Sequence, residues 1–148
     1  MSDVRPERSG WRDEAMSRRH REWGFDCPAV DVDFLMVEYD ASTAVAMVEY
    51  KNGQSKLATT LNNPSIKAIE GVANAAKIPF LIVAYETDFR LWTVAPGNEL
   101  AKVAIGAPAG CGGRQCWTEL QYVGFLYKLR GLSLPPELRA SLSDDTGF

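Results

Sequence analysis

The stretch from Asp31 to Lys51 constrains the fold of this chain more than any other. It reads Asp31-Val32-Asp33-Phe34-Leu35-Met36-Val37-Glu38-Tyr39, then Asp40-Ala41-Ser42-Thr43, then Ala44-Val45-Ala46-Met47-Val48-Glu49-Tyr50-Lys51. Two runs rich in β-branched and aromatic residues, joined by a short polar segment, predict strands at about 32–39 and 44–51 paired as an antiparallel hairpin. Asn52-Gly53 then signals a turn. Charges at the tips of otherwise apolar strands are costly unless something binds them. Two carboxylates and an ammonium gathered on one hairpin suit a divalent metal and a phosphate.

The register decides whether those charges meet. Side chains alternate along a strand, so Glu49 and Lys51 share a face, as do Asp31 and Asp33. Directly opposed residues of an antiparallel pair also point to one face. A two- or four-residue loop centred on Ala41-Ser42 would pair Asp33 with Tyr50 and separate the charges. A loop of odd length, or one β-bulge, would pair Asp33 with Lys51 and bring Glu49 beside them. We expect the odd register.

Around the hairpin the order is legible. Trp11 to Trp23 is charged, free of proline and rich in helix formers, and it stops at Gly24, which predicts a helix. Asp26-Cys27-Pro28 connects it onward. Asn63 and Pro64 predict a helix start, with Asn63 as N-cap and Pro64 in the first position. Ile66, Ile69, Ala73 and Ala76 then form an apolar stripe. Ile78 to Tyr85 is nearly all apolar, as expected of a strand covered on both faces. Arg90 to Ala95 predicts a further strand, ended by Pro96-Gly97-Asn98. Gly106 to Gly113 reads as a flexible linker, because its glycines lack the Gly-Lys-Ser/Thr ending of a phosphate-binding loop. Thr118 to Arg130 predicts a last helix with Leu120, Val123, Leu126, Tyr127 and Leu129 inward. Pro135-Pro136 and the acidic end read as tail. The pattern helix, strand, strand, helix, strand, strand, helix implies an α/β fold, a mixed sheet with helices on its faces. With 148 residues, a single domain spanning 1–148 is expected, with flexible tails at 1–10 and 141–148.

Composition narrows the function. A net charge of −3 and a pI of about 5.2 disfavour nucleic-acid binding through a broadly basic surface. They leave room for an enzyme with a local basic patch, such as Arg18-Arg19-His20-Arg21, and bound metal ions. No apolar run is long enough to span a membrane, and the polar start from Met1 to Arg12 is unlike a secretory signal. The chain has three cysteines and one histidine, so a structural zinc site is not expected. Cys27, Cys111 and Cys116 read as buried or idle thiols in a reducing compartment. An intracellular, cytoplasmic protein is expected.

The hairpin resembles the PD-(D/E)XK nuclease superfamily. Branches of that superfamily carry an acidic-x-Asp strand start followed by Glu-x-Lys, and Asp31-Val32-Asp33 with Glu49-Tyr50-Lys51 matches residue for residue. Arg19-His20-Arg21-Glu22-Trp23-Gly24, Cys27-Pro28-Ala29-Val30-Asp31-Val32-Asp33-Phe34 and Pro79-Phe80-Leu81-Ile82-Val83 also resemble small uncharacterised bacterial and phage members. The likeness covers roughly residues 17 to 98. Val32 stands where the commonest family motif has proline. The Gln-x-x-x-Tyr helix of the RecB-like exonuclease branch is absent.

The resemblance implies a restriction-endonuclease-like core and a Mg²⁺-dependent deoxyribonuclease, an endonuclease in the first instance, with Mn²⁺ able to substitute. Asp33 and Glu49 would bind the metal and the Tyr50 carbonyl would complete its shell, since hard oxygens suit magnesium. Lys51 would orient the attacking water and offset charge developing on the phosphate. Asp31, Glu22 (or Glu14) and Gln54 are supporting candidates. Arg18, Arg19, His20, Arg21 and Lys56, with Lys67 beside them, are candidates for contact with DNA phosphates. Partners would be DNA and a second copy or a larger DNA-processing assembly, with the last helix as a candidate interface and no membrane.

Each candidate has a plainer reading. Glu49 and Lys51 would then be strand-end residues pairing across the sheet, and Glu22 a partner in a surface ion pair. The arginine cluster would be a solvated helix face, and Trp11, Trp23, Trp92 and Trp117 core or core-edge residues. A non-catalytic nucleic-acid-binding or assembly subunit of the same fold is the alternative function. RNA is the alternative substrate.

Overall fold

Phe80–Tyr85, an almost uninterrupted apolar run, forms the strand around which the fold is built. The computed structural model describes residues 14–23, 30, 32–38, 40–57, 60, 62–106 and 114–145. The chain divides into two units, Met1–Asp31 and Val32–Phe148. The second unit holds a five-stranded sheet in the order β1-β2-β3-β4-β5. Its strands are β1 (Phe34–Glu38), β2 (Thr43–Asn52), β3 (Phe80–Tyr85), β4 (Trp92–Pro96) and β5 (Gln115–Trp117). β2 and β3 run parallel, and every other neighbouring pair is antiparallel. This is an α/β architecture with a mixed sheet.

A parallel pair needs a crossover, and α2 (Pro64–Ala76) supplies it. Asn63 caps it as expected, its Oδ1 accepting the Ser65 N–H at 2.8 Å. Ile66, Ile69 and Ala73 face inward onto Met47, Leu57, Phe80, Ile82 and Ala84. Ala76, placed on the same stripe by its spacing, is instead exposed. It is the last helical residue, and the chain leaves through Lys77 in the left-handed conformation. The other sheet face carries Val48, Leu81, Val83, Trp92 and Val94, covered by Ala101 and Tyr122. β3 is therefore buried on both faces, as its composition predicts. Fully burying each such side chain contributes about 1.5–3 kcal/mol.

Three elements depart from the expected pattern. Residues after Asn98 form α3 (Glu99–Ile105), and Gln115–Trp117 pairs with β4 as a short edge strand. Pro135-Pro136 opens a helix rather than a tail: α5 spans Pro136–Asp145. Proline is well suited to a first helical turn, where its missing N–H costs nothing. Leu142 on α5 is buried, so the expected flexible tail from 141 is helical through Asp145. The expected tail at 1–10 and residues 107–113 of the glycine-rich segment lie outside the described residues. Cys116 is disulfide-bonded, with its partner outside the described residues, so the expectation of idle thiols fails there.

Asn98 ties three elements together. Its Oδ1 accepts the Ala101 N–H at 2.9 Å, capping α3, and also the Phe80 N–H at 2.9 Å. Its Nδ2 donates to the Ile78 carbonyl at 2.9 Å and to Asn74 Oδ1 at 3.0 Å. All the capacity of one buried amide is thereby used. Gly97 beside it approaches β3 so closely that a Cβ would lie 2.6 Å from Phe80 Cδ2 and 3.0 Å from the Phe80 carbonyl oxygen.

α4 (Glu119–Leu129) starts at a capping box. Thr118 Oγ1 accepts the Gln121 N–H, and the Gln121 side chain accepts the Thr118 N–H. Its inward residues are Tyr122, Phe125, Leu126 and Leu129. Tyr122 and Phe125 join Leu126 and Leu129 of the expected inner face there, and Leu120, Val123 and Tyr127 are half-buried. At its end, the Arg130 guanidinium grips Glu38 on β1, with both Nε and Nη2 at 2.8 Å from Oε2. The Arg130 hydrogen bond holds the Glu38 carboxyl below its ordinary range, against a smaller opposing effect of burial. This ties down the edge strand that leads to Asp33.

The first unit contains α1 (Glu14–Glu22), inside the helix expected over Trp11–Trp23. Arg19 pairs with Glu22 at 3.3 Å. The His20 and Trp23 rings are 5.0 Å apart.

Candidate functional site

The hairpin contains the irregularity on which the site depends. Glu38 pairs with Thr43 and Val37 with Ala44, but Met36 pairs with Ala46, leaving Val45 as a bulge. The extra residue changes the parity of β2. Ala44 and Met47, three apart, consequently pack on the same side of the sheet. Beyond the bulge Leu35 pairs with Met47 and Phe34 with Val48. Continuing that register by one residue sets Asp33 against Glu49, an odd pairing that puts both on one face. The expected condition, an odd register or a bulge, is met by the bulge. The opposed residue is Glu49 rather than Lys51.

Side-chain geometry agrees. Asp33 sits on the bend before β1, and its Oδ2 accepts the Tyr50 N–H at 3.1 Å. That bond fixes the aspartate beside β2. Lys51 Nζ lies 3.1 Å from Glu49 Oε1. On β2, between β1 and β3, Glu49 is only 8% exposed, and its partner across the parallel ladder is the fully buried Ile82. Burial pushes the Glu49 carboxyl up from its ordinary value, and the charge of Asp33 adds to the shift. The Lys51 ammonium opposes both. The result is a buried carboxylate beside a second carboxylate, with one lysine as the cation shown against it. Such a pair gains from a further positive charge.

Tyr50 serves this arrangement from behind. Its ring lies on the opposite face, edge-on to Phe34, Tyr85, Trp92 and Tyr122. Its hydroxyl is 2.5 Å from that of Tyr122. Burial holds the Tyr122 phenol well above its ordinary range, with the neighbouring Tyr50 adding to it, so the Tyr122 hydroxyl stays protonated. A strand anchored this way presents Glu49 and Lys51 in fixed positions. Tyr122 was absent from the expected inner face of its helix. Its spacing of three and four to Phe125 and Leu126 was the available signal.

The other candidates are less well placed. Gln54 opens a 3₁₀ turn, Gln54–Lys56, directly after β2. It is half-buried, and Lys56 and Lys67 are exposed. Arg18, Arg19, Arg21 and Glu22 are exposed on α1, in the first unit, with Glu22 engaged by Arg19. Asp31 and the side chain of Glu14 lie outside the described residues. Of the tryptophans, Trp92 is core as expected, Trp117 is half-buried against Phe125, and Trp23 is exposed.

Asp33 and Glu49 supply hard carboxylate oxygens of the kind a Mg²⁺ ion takes while keeping several waters. Among the described residues no group of three or more His, Cys, Asp or Glu side chains is gathered so as to hold a metal ion. No helix among them is long and apolar enough to cross a membrane. Comparison with protein-family models, with curated proteins and with solved structures returns no match.

Proposed function

We propose that the chain is a metal-dependent nuclease of the PD-(D/E)XK type, with a restriction-endonuclease-like core, that hydrolyses DNA phosphodiester bonds. The observation that carries this reading is the buried Glu49 carboxylate set beside Asp33, with Lys51 Nζ at 3.1 Å. Asp33 and Glu49 hold Mg²⁺, or Mn²⁺ in its place, and the Tyr50 carbonyl is the third protein ligand. The metal supplies a bound water of lowered pKa and polarises the phosphate. Lys51 orients the water and offsets charge on the phosphoryl oxygens. Gln54 and Lys56, next along the chain, are proposed to contact the substrate strand. The Cys116 disulfide, of a kind rare in reducing compartments, is the observation that opposes an intracellular setting.

A plasmid-nicking assay with Mg²⁺ or Mn²⁺ against EDTA tests the reading. Asp33→Asn and Lys51→Ala each abolish cleavage while the fold persists. Mg²⁺ at ten times its dissociation constant stabilises the wild type by about 1.4 kcal/mol, seen as a rise in Tm that Asp33→Asn lacks. Cleavage indifferent to both substitutions sinks the proposal, and parallel RNA substrates separate the two nucleic acids.

The Glu49–Lys51 ion pair also fits a second reading, a non-catalytic module of the same fold that binds nucleic acid or joins an assembly. In that case calorimetry finds no Mg²⁺ or Mn²⁺ binding that depends on Asp33.

A further inference from the structure

The Tyr122 hydroxyl does something that packing does not require. Tyr122 is 2% exposed, and its ring stacks on Trp92 at 4.9 Å and 12°. A phenylalanine ring would make the same stack. The oxygen instead meets the Tyr50 hydroxyl at 2.5 Å. Tyr50 is also the residue whose backbone meets Asp33. Along β2 the N–H groups alternate in direction, and that of Met47 donates toward β3, to the Pro79 carbonyl at 2.9 Å. The Tyr50 N–H, three residues on, therefore points toward β1. That strand begins at Phe34, paired with Val48, so at Tyr50 a side chain takes the place of the ladder: Asp33 Oδ2 accepts the N–H at 3.1 Å. One residue of β2 is thus held twice, its side chain by Tyr122 and its backbone by Asp33. The same helix, α4, leads to Arg130, which grips Glu38 on β1.

We infer that Tyr122 is a positioning residue of the candidate site: through the Tyr50 hydroxyl, from the sheet face opposite Glu49, it fixes the backbone N–H on which the Asp33 carboxylate is oriented. For its metal this role rests on the nuclease reading, but the two are tested apart. Tyr122→Phe, Tyr50→Phe and the double variant are compared by urea melts, by exchange of the Tyr50 amide in metal-free buffer, and by calorimetry with Mg²⁺ and Mn²⁺. Removing one hydroxyl strands the other, whereas removing both leaves an apolar contact that is close to neutral for stability. In the double variant the urea midpoint returns toward wild type. Its Tyr50 amide nevertheless exchanges about fivefold faster, and it binds metal about fivefold more weakly, the equivalent of one net hydrogen bond. Affinity that merely follows the urea midpoint, falling in the single variants and recovering in the double, marks a structural role and overturns the inference. Affinity unchanged in all three overturns it too, even if the wild type cleaves DNA. A wild type that binds neither metal defeats the nuclease reading instead. Faster Tyr50 exchange in the double variant then still upholds the hold of Tyr122 on the Asp33 junction, and exchange at the wild-type rate overturns it.

Discussion

Replacing Asn98 by alanine tests how much of this fold hangs on one buried amide. The substitution removes the acceptor that caps α3, which costs about 1 kcal/mol. It strands the N–H of Phe80, a residue with no exposed surface, at about 1–3 kcal/mol. It also takes a donor from the Ile78 carbonyl, worth about 1 kcal/mol. The Asn74 side chain is on an exposed residue and turns to water at little cost. Together the loss is about 4 kcal/mol, a large share of the roughly 5–15 kcal/mol typical of a folded protein. With a urea slope of roughly 1–3 kcal/mol/M, the midpoint falls by about 2 M. Asn98→Asp separates the contributions. It keeps the acceptor for Phe80 and Ala101 but sets an ionised oxygen against the Ile78 carbonyl, and it recovers stability as acid protonates it. A midpoint for Asn98→Ala within about 0.5 M of wild type, with unchanged slope, would refute the assignment of Asn98 as a junction.

Gly97→Ala forces a Cβ against Phe80 and lowers stability by about 1–3 kcal/mol, read as a drop in Tm. Glu49→Gln distinguishes function from stability. The Glu49 pKa is raised from 4.5, so the native state binds the proton more tightly than the unfolded one. Wild-type stability therefore falls as pH climbs from about 4.5 through the raised value. In metal-free buffer Glu49→Gln lacks that decline, while its cleavage is lost; a decline of equal size in the variant contradicts the burial argument. Glu38 has the opposite sign. Its lowered pKa means that the Arg130 contact stabilises above about 4.5 and fades as pH falls through the depressed value, so Glu38→Gln reduces the acid-dependent loss in a pH series of urea melts.

Much of this protein is legible in local sequence because the relevant physics is local. Asn63-Pro64 marks a helix start through one side-chain acceptor and one fixed φ. Phe80–Tyr85 declares itself a doubly covered strand by having almost no polar side. The hairpin and its charged tips follow from β-propensity and a polar turn. Even the condition of an odd loop or a bulge could be deduced, since side-chain parity is arithmetic. What the sequence could not say is where the extra residue falls. A bulge at Val45 is decided by which side chains Ala44 and Met47 meet across α2 and β3, and that contact sets Glu49, rather than Lys51, against Asp33. The same limit hid α3 and the helical role of Pro136, where weak local signals are settled by Asn98 reaching to β3 and by Leu142 being buried. Residue types determined that two carboxylates and a lysine had to be accommodated at the end of a hairpin. Only the assembled sheet, by burying Glu49 beside a second acid and bracing Tyr50 on Tyr122 from the other face, decided that they are held together.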